Sequence, residues 1–179
     1  SFKQAQQGNL TNLAYVKGNF HDYTYRNVQV QPGAVEVNSA SGITFVRNRV
    51  EHTGADGIQF VNDVVDSAID GNVTNDIGGS AINVGDPQHV FIGDGTSTNK
   101  EHYAPAVEGA PKNISVRNNY ISDSAVLLWG SAAITGYFLD TVSIEHNRIH
   151  KTSWAGISMG WGWGNFDGTS GSNSPGNPS

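Results

Sequence analysis

Acidic residues at matching offsets in a repeated pattern are the first feature of this chain that bears on chemistry. Four residues after Asn48, Asn72, Asn119 and Asn147 stand His52, Asp76, Asp123 and Lys151. If the four asparagines occupy equivalent places, Asp76 and Asp123 lie one strand spacing apart, about 4.8 Å. Two carboxyl groups about 5 to 5.5 Å apart suit a double displacement at a glycosidic carbon, and about 6.5 to 9.5 Å suits attack by water. The competing reading is structural: Asp is a common turn residue, and His52 and Lys151 bracket the two charges. Asp86, followed by Pro87 at the mouth of an insertion, is the preferred single acid, because catalytic groups stand at loop edges. Asp56, which opens the strand of Ile58, comes next.

Binding groups form a second set. The middle residues of a recurring three-residue strand read Glu36, Gln59, Asn83, Thr135 and Ser158, and alternation points them away from a core. Such a polar row is either the wall of a glycan-contacting groove or the solvated face of ordinary strands. Trp161 and Trp163 alternate with glycines, which leaves their faces open as platforms for a sugar ring or for packing under a following loop. Tyr137 stands near the corresponding edge one turn earlier. His21, His52, His89, His102, His146 and His150 give no zinc-like spacing, so no metal site is assigned. The Gly93-Asp94-Gly95-Thr96 loop offers oxygen atoms to calcium without a full ligand motif. No other cofactor is implied, since phosphate loops and dinucleotide fingerprints are absent.

These residues need a scaffold, and a repeat supplies it. Val35-Glu36-Val37, Ile58-Gln59-Phe60, Ile82-Asn83-Val84, Ile134-Thr135-Gly136 and Ile157-Ser158-Met159 align with steps of 23, 24, 52 and 23 residues. A second row aligns Ile43-Thr44-Phe45, Ser67-Ala68-Ile69, Ile114-Ser115-Val116 and Val142-Ser143-Ile144, each followed by one of the four asparagines. Leu13-Ala14-Tyr15 mimics that row earlier in the chain. Apolar-polar-apolar triplets bounded by Gly, Asn and Asp mark short strands, and helical spacing is missing. The pattern predicts an all-β, right-handed parallel β-helix of 23 to 24 residues per turn over 1–164, with an insertion over about 87–111. The Asn row is expected to form an amide ladder. Residues 165–179 have the composition of a flexible loop or tail, which suggests a piece of a longer β-helix, nicked there or completed by a second chain.

Composition narrows the partners. A net charge of -6, with only ten Lys and Arg, argues against nucleic acid. No apolar run reaches the roughly 20 residues that cross a bilayer, so no membrane partner is expected. The absence of Cys does not fix the compartment; the chain starts at Ser1, so any signal peptide would already be gone, and a secreted or periplasmic location is the expectation.

Several stretches resemble bacterial parallel β-helix proteins that include glycoside hydrolases of the fucosidase/xylanase type. They are Gly33-Ala34-Val35, Asn75 to Ile82 ending at Gly85-Asp86, Val116-Arg117-Asn118-Asn119-Tyr120-Ile121, Ile144-Glu145-His146-Asn147-Arg148-Ile149, and Gly156-Ile157-Ser158-Met159-Gly160-Trp161-Gly162-Trp163-Gly164. The last is the most specific, and the likeness covers most of 33–164. It implies a polysaccharide- or oligosaccharide-degrading hydrolase with paired carboxylates on the β-helix face. Members continue past this segment with Asp-Gly-Gly turns absent here, which would put part of the site outside these residues. A non-catalytic glycan-binding or adhesion module is the alternative. A polysaccharide lyase or epimerase is the third, disfavoured because Arg117, Arg148 and Lys151 are dispersed.

Overall fold

A computed structural model describes residues 32–85, 109–137 and 139–159. Expectations for Leu13 to Tyr15, Asp86, the Asp94 loop, Trp161, Trp163 and the 165–179 tail lie outside the described residues. Within them the chain is all-β, with parallel strands in three sheets and no helix. Sheet 1 orders β1 (Val35–Val37), β5 (Ile58–Phe60), β8 (Ile82–Val84), β11 (Ile134–Gly136) and β14 (Ile157–Met159). Sheet 2 holds β2 (Ala40–Ser41) and β3 (Thr44–Val46) against β6 (Val64–Asp70), then β9 (Lys112–Arg117) and β12 (Asp140–Glu145). Sheet 3 orders β4 (Arg49–Thr53), β7 (Val73–Ile77), β10 (Tyr120–Ser124) and β13 (Arg148–Thr152).

The chain visits the sheets in a fixed cycle, one strand or split strand at a time, and each visit pairs with the previous one in parallel. Register follows the apolar rows: Val35 faces Ile58, Ile58 faces Ile82, Ile82 faces Ile134, and Ile134 faces Ile157. The cycle resumes across the insertion, since β9 pairs β6 and β10 pairs β7. Inner faces of all three sheets meet in one core that includes Ile58, Phe60, Ile82 and Ile134 from sheet 1, Val64, Ile69 and Ile114 from sheet 2, and Val50, Ile77 and Ile121 from sheet 3. Each such side chain contributes about 1.5 to 3 kcal/mol on burial.

Two devices turn the chain between sheets. The first is the asparagine row between sheets 2 and 3. Asn48 N donates to Asn72 Oδ1 (2.9 Å), Asn72 N to Asn119 Oδ1 (2.9 Å) and Asn119 N to Asn147 Oδ1 (3.0 Å). The side-chain amides donate back to sheet-2 carbonyls of Val46, Phe45, Ile69 and Val116. The second device is a set of left-handed residues five apart. Gly42, Asp66, Asn113 and Thr141 form one row, Arg47, Gly71, Asn118 and His146 the next, and His52, Asp76, Asp123 and Lys151 the third, all with φ between 50° and 70°. Short polar side chains reach this region more readily than branched apolar ones, because they bond locally to the backbone.

Asn72 and Asn119 are buried, whereas Asn48 is exposed at the end of the row. Asn119→Ala strips partners from the Asn72 N–H and the Ile69 carbonyl, and at about 1 to 3 kcal/mol per buried unpaired group the loss is roughly 3 kcal/mol. Asn48→Ala is expected to cost less than about 1 kcal/mol, because its neighbours reach water. Urea midpoints of the two variants measure the difference, and equal losses would show that burial does not set the value of the ladder.

Candidate functional site

The outward face of sheet 3 carries polar and charged groups, as sheet 2 does with Lys112–Asp140 and Arg117–Asp70. Along each of its strands the residue after the ladder Asn points out, giving Val73 and Tyr120 beside Arg148. The third residue after it gives Glu51, Asn75, Ser122 and His150, of which Ser122 is buried. The fourth falls at the left-handed bend, so the chain turns and presents two consecutive side chains outward instead of alternating. That is why the row His52, Asp76, Asp123, Lys151 stands beside Glu51, Asn75, Ser122 and His150, with Ser122 and Ser124 of β10 facing their counterparts Asn75 and Ile77 of β7.

Ser122 pairs with Asn75 and Ser124 with Ile77, so Asp123 and Asp76 take the places between them on the paired strands. His52 Nδ1 lies 2.7 Å from Asp76 Oδ2, and Lys151 Nζ lies 3.7 Å from Asp123 Oδ1. Asn75 bridges the rows, donating from Nδ2 to Ser122 Oγ (2.6 Å) and to Asp123 Oδ2 (3.1 Å). Tyr120 Oη and His150 Nε2 are 2.6 Å apart, and the Arg148 guanidinium sits 5.5 Å from the Tyr120 ring centre. A hydrogen bond from Arg49 holds the Glu51 carboxyl below its ordinary range. Glu51, Tyr120 and His150 were not among the residues expected here, although their fixed offsets from the asparagines carry that signal.

The outward row of sheet 1 differs from expectation. Its register is as read from the repeat, and Glu36 is exposed, but Gln59, Asn83 and Thr135 are only 2 %, 1 % and 5 % exposed. They form a covered polar network instead of an open ladder. Thr135 Oγ1 donates to Asn83 Oδ1 (2.7 Å), Asn83 Nδ2 to the Gly85 carbonyl (3.1 Å), and Gly33 N to Gln59 Oε1 (2.8 Å).

Asp56 belongs to this network. Expected as the second candidate acid, it is buried at 6 % exposure. Gln59 Nε2 donates to its Oδ2 (2.8 Å) and the Ser80 N–H to its Oδ1 (2.7 Å). Gly79 leaves it room, because a Cβ there would collide with Oδ1. The carboxylate thus joins the corner before β5 to the corner before β8. Burial pushes its pKa up to about 6, against the pull of the Gln59 and Ser80 hydrogen bonds. Tyr137, expected at a binding edge, is also buried, its backbone extending sheet 1 through Tyr137 N to the Val84 carbonyl (2.8 Å).

Corners from sheet 3 to sheet 1 are short except one. Thr53 to Ile58, Ile77 to Ile82 and Thr152 to Ile157 each span five positions, but Ser124 to Ile134 spans ten. The longer corner lies over Gly78 and Gly79, with Ala125 N bonded to the Gly79 carbonyl (2.8 Å) and Leu128 N to the Gly78 carbonyl (2.8 Å). Leu128 is buried beneath it, while Trp129 and Leu127 are 74 % and 63 % exposed. Trp154, on the next corner, is 48 % exposed. None of these three was singled out from the sequence, where the extra five residues between Asn119 and Ile134 are their only mark.

No family model matches the chain, and no curated protein does. Among solved structures, a glycoside hydrolase is similar to it, with 29 % identity, a TM-score of 0.64 and coverage of 73 % of this chain. The chain spans 21 % of the length of that structure.

The Asp56 geometry yields a pH dependence. Its folded-state pKa of about 6 lies above the ordinary 3.8, so the folded chain holds the proton more tightly than the unfolded one. The associated stability is fully present below about pH 4 and is lost as pH rises through about 6. By linkage this amounts to a few kcal/mol at most, on the order of 2. Asp56→Asn is expected to remove that slope, so unfolding free energies of both proteins should converge differently at pH 5 and pH 7. Parallel curves across this window would refute the assignment.

Proposed function

We propose that this protein hydrolyses glycosidic bonds of a polysaccharide or oligosaccharide on the outward face of sheet 3, with Asp76 and Asp123 as its carboxylate pair. The observation that carries this reading is that both stand at equivalent left-handed bends of the paired strands β7 and β10. Adjacent strands stand about 4.8 Å apart, close to the separation of about 5 to 5.5 Å that suits a covalent glycosyl intermediate. In this reading Asp123, which receives Asn75 and faces Lys151, attacks the anomeric carbon. Asp76, beside the His52 ring, protonates the leaving oxygen and then activates water. Similarity to a glycoside hydrolase agrees with this chemistry, and the fucosidase/xylanase type is the proposed subclass.

The same proposal takes the three sheets as the faces of a right-handed parallel β-helix. The cyclic visiting order supports it, as does the near-universal right-handedness of parallel crossovers. A second chain completing the β-helix belongs to the same proposal. A polymeric glycan substrate places the protein outside the cell or in the periplasm. A second reading, a glycan-binding module without hydrolysis, is favoured by one observation: both carboxylates already have basic partners.

Product analysis separates the readings. Incubation with soluble arabinoxylan, xyloglucan and pectin is expected to release saturated reducing ends, and Asp76→Asn or Asp123→Asn should lower the rate by about 10²-fold or more. Unsaturated, ultraviolet-absorbing ends would indicate a lyase. Binding without any product would leave the module.

A further inference from the structure

We infer that Trp129 and Trp154, with Leu127, form a sugar-stacking subsite at the sheet 3 to sheet 1 corner, beside the Asp76 and Asp123 row. This rests on the carbohydrate reading above and adds to it the place where a glycan is held. An indole face contributes a large apolar surface suited to the C–H face of a pyranose ring, and it makes no demand for matched hydrogen bonds. Such a surface is useful only if it is held still, because ordering a mobile side chain consumes binding energy.

The corner meets that condition. Trp129 Nε1 donates to the Val126 carbonyl (3.0 Å), which fixes the plane of the ring while leaving the side chain 74 % exposed. The loop beneath is pinned by Ala125, Val126, Leu127 and Leu128 N–H groups bonded to carbonyls of residues 77 to 79. Buried Leu128 anchors it from inside. Ser153 Oγ donates to the Ala125 carbonyl (2.8 Å), tying the corner that carries Trp154 to the corner that carries Trp129. Asp123 is two residues before Ala125, and Lys151 is three before Trp154, so both strands that feed these corners present the charged row first.

The size of the patch points to a small, repeating ligand. Three side chains of this exposure present about 400 Å² of surface, taking about 150 to 250 Å² for each aromatic, against about 800 Å² per partner in a stable protein–protein interface. A sugar ring or two matches it, and the adjoining polar face supplies the hydrogen-bonding groups that the neighbouring rings of a chain require.

Affinity gel electrophoresis in soluble arabinoxylan and in xyloglucan tests the subsite. The protein is expected to be retarded by at least one of them, Trp129→Ala to weaken retardation about tenfold or more, and Trp129→Phe to keep most of it. Far-UV circular dichroism and melting temperature establish that each variant is folded. Absence of retardation in both gels overturns the proposal, as does retardation unchanged in a folded Trp129→Ala, Trp154→Ala double variant. A wild-type dimer that the double variant dissolves in sedimentation, with retardation unaltered, would assign the patch to a second copy and also overturns it. The catalytic reading fails separately: if Asp76→Asn and Asp123→Asn hydrolyse at full rate while the tryptophan variants lose retardation, the subsite stands without that carboxylate pair.

Discussion

The asparagine ladder is the interaction on which the rest of the structure depends. At the bend between sheets 2 and 3 the backbone leaves both partners' ladders, and its N–H groups would be buried without acceptors. One side-chain amide solves this for the neighbouring strand layer, as Asn72 Oδ1 accepts Asn48 N while Asn72 Nδ2 satisfies the Phe45 carbonyl. An aspartate in the same place could accept but not donate, and it would bring a buried charge. The repetition of a single residue type is thus dictated by a geometry that needs both functions. With the bends aligned, the apolar rows fall into register and every Ile of sheet 1 meets another.

The left-handed rows are the complement of the ladder. Each bend five residues from the last reorients the strand, at a conformational cost of about 1 to 2 kcal/mol for a residue with a Cβ. Partnered side chains offset part of it, as Asn113 Nδ2 does by donating to Asp66 Oδ1 (2.7 Å). The third such row is where structure and chemistry coincide, because a bend that breaks alternation places two neighbouring side chains on the solvent side. Charged groups stand on the strands of sheets 2 and 3 alike, as in the Lys112–Asp140, Arg117–Asp70 and Lys151–Asp123 pairs, while the central strands of sheet 1 are buried throughout.

Much of this was legible in the residues. The leading rows, the asparagine row and the offset that brings Asp76 beside Asp123 all follow from counting, because stacked strands convert equal offsets into contact. Burial of Gln59, Asn83 and Thr135 did not follow. Alternation tells which side of a strand a residue occupies but not what lies over that side, and polarity alone cannot separate a solvated row from a covered, internally bonded one. The burial of Asp56 was equally hidden: its acceptors are occupied by Gln59 three residues on and by Ser80 in the following corner. The five-residue rhythm of the bends was present in Asp66, Gly71 and Asp76 and again in Asn113, Asn118 and Asp123, hidden because several residue types tolerate the conformation.

The insertion between β8 and β9 bears on how the chain folds. Contacts between successive layers elsewhere join residues about 24 apart, as Asn48 and Asn72 are, but Asn72 meets Asn119 across 47. Closure entropy grows only with the logarithm of loop length, so this doubling adds about 0.6 kcal/mol. The penalty falls on one step, and the layers on either side of the seam each close over short loops. Assembly can therefore begin independently in the two halves, Val35 to Val84 and Lys112 to Met159, with the β6–β9 and β7–β10 pairings as the late event that joins them.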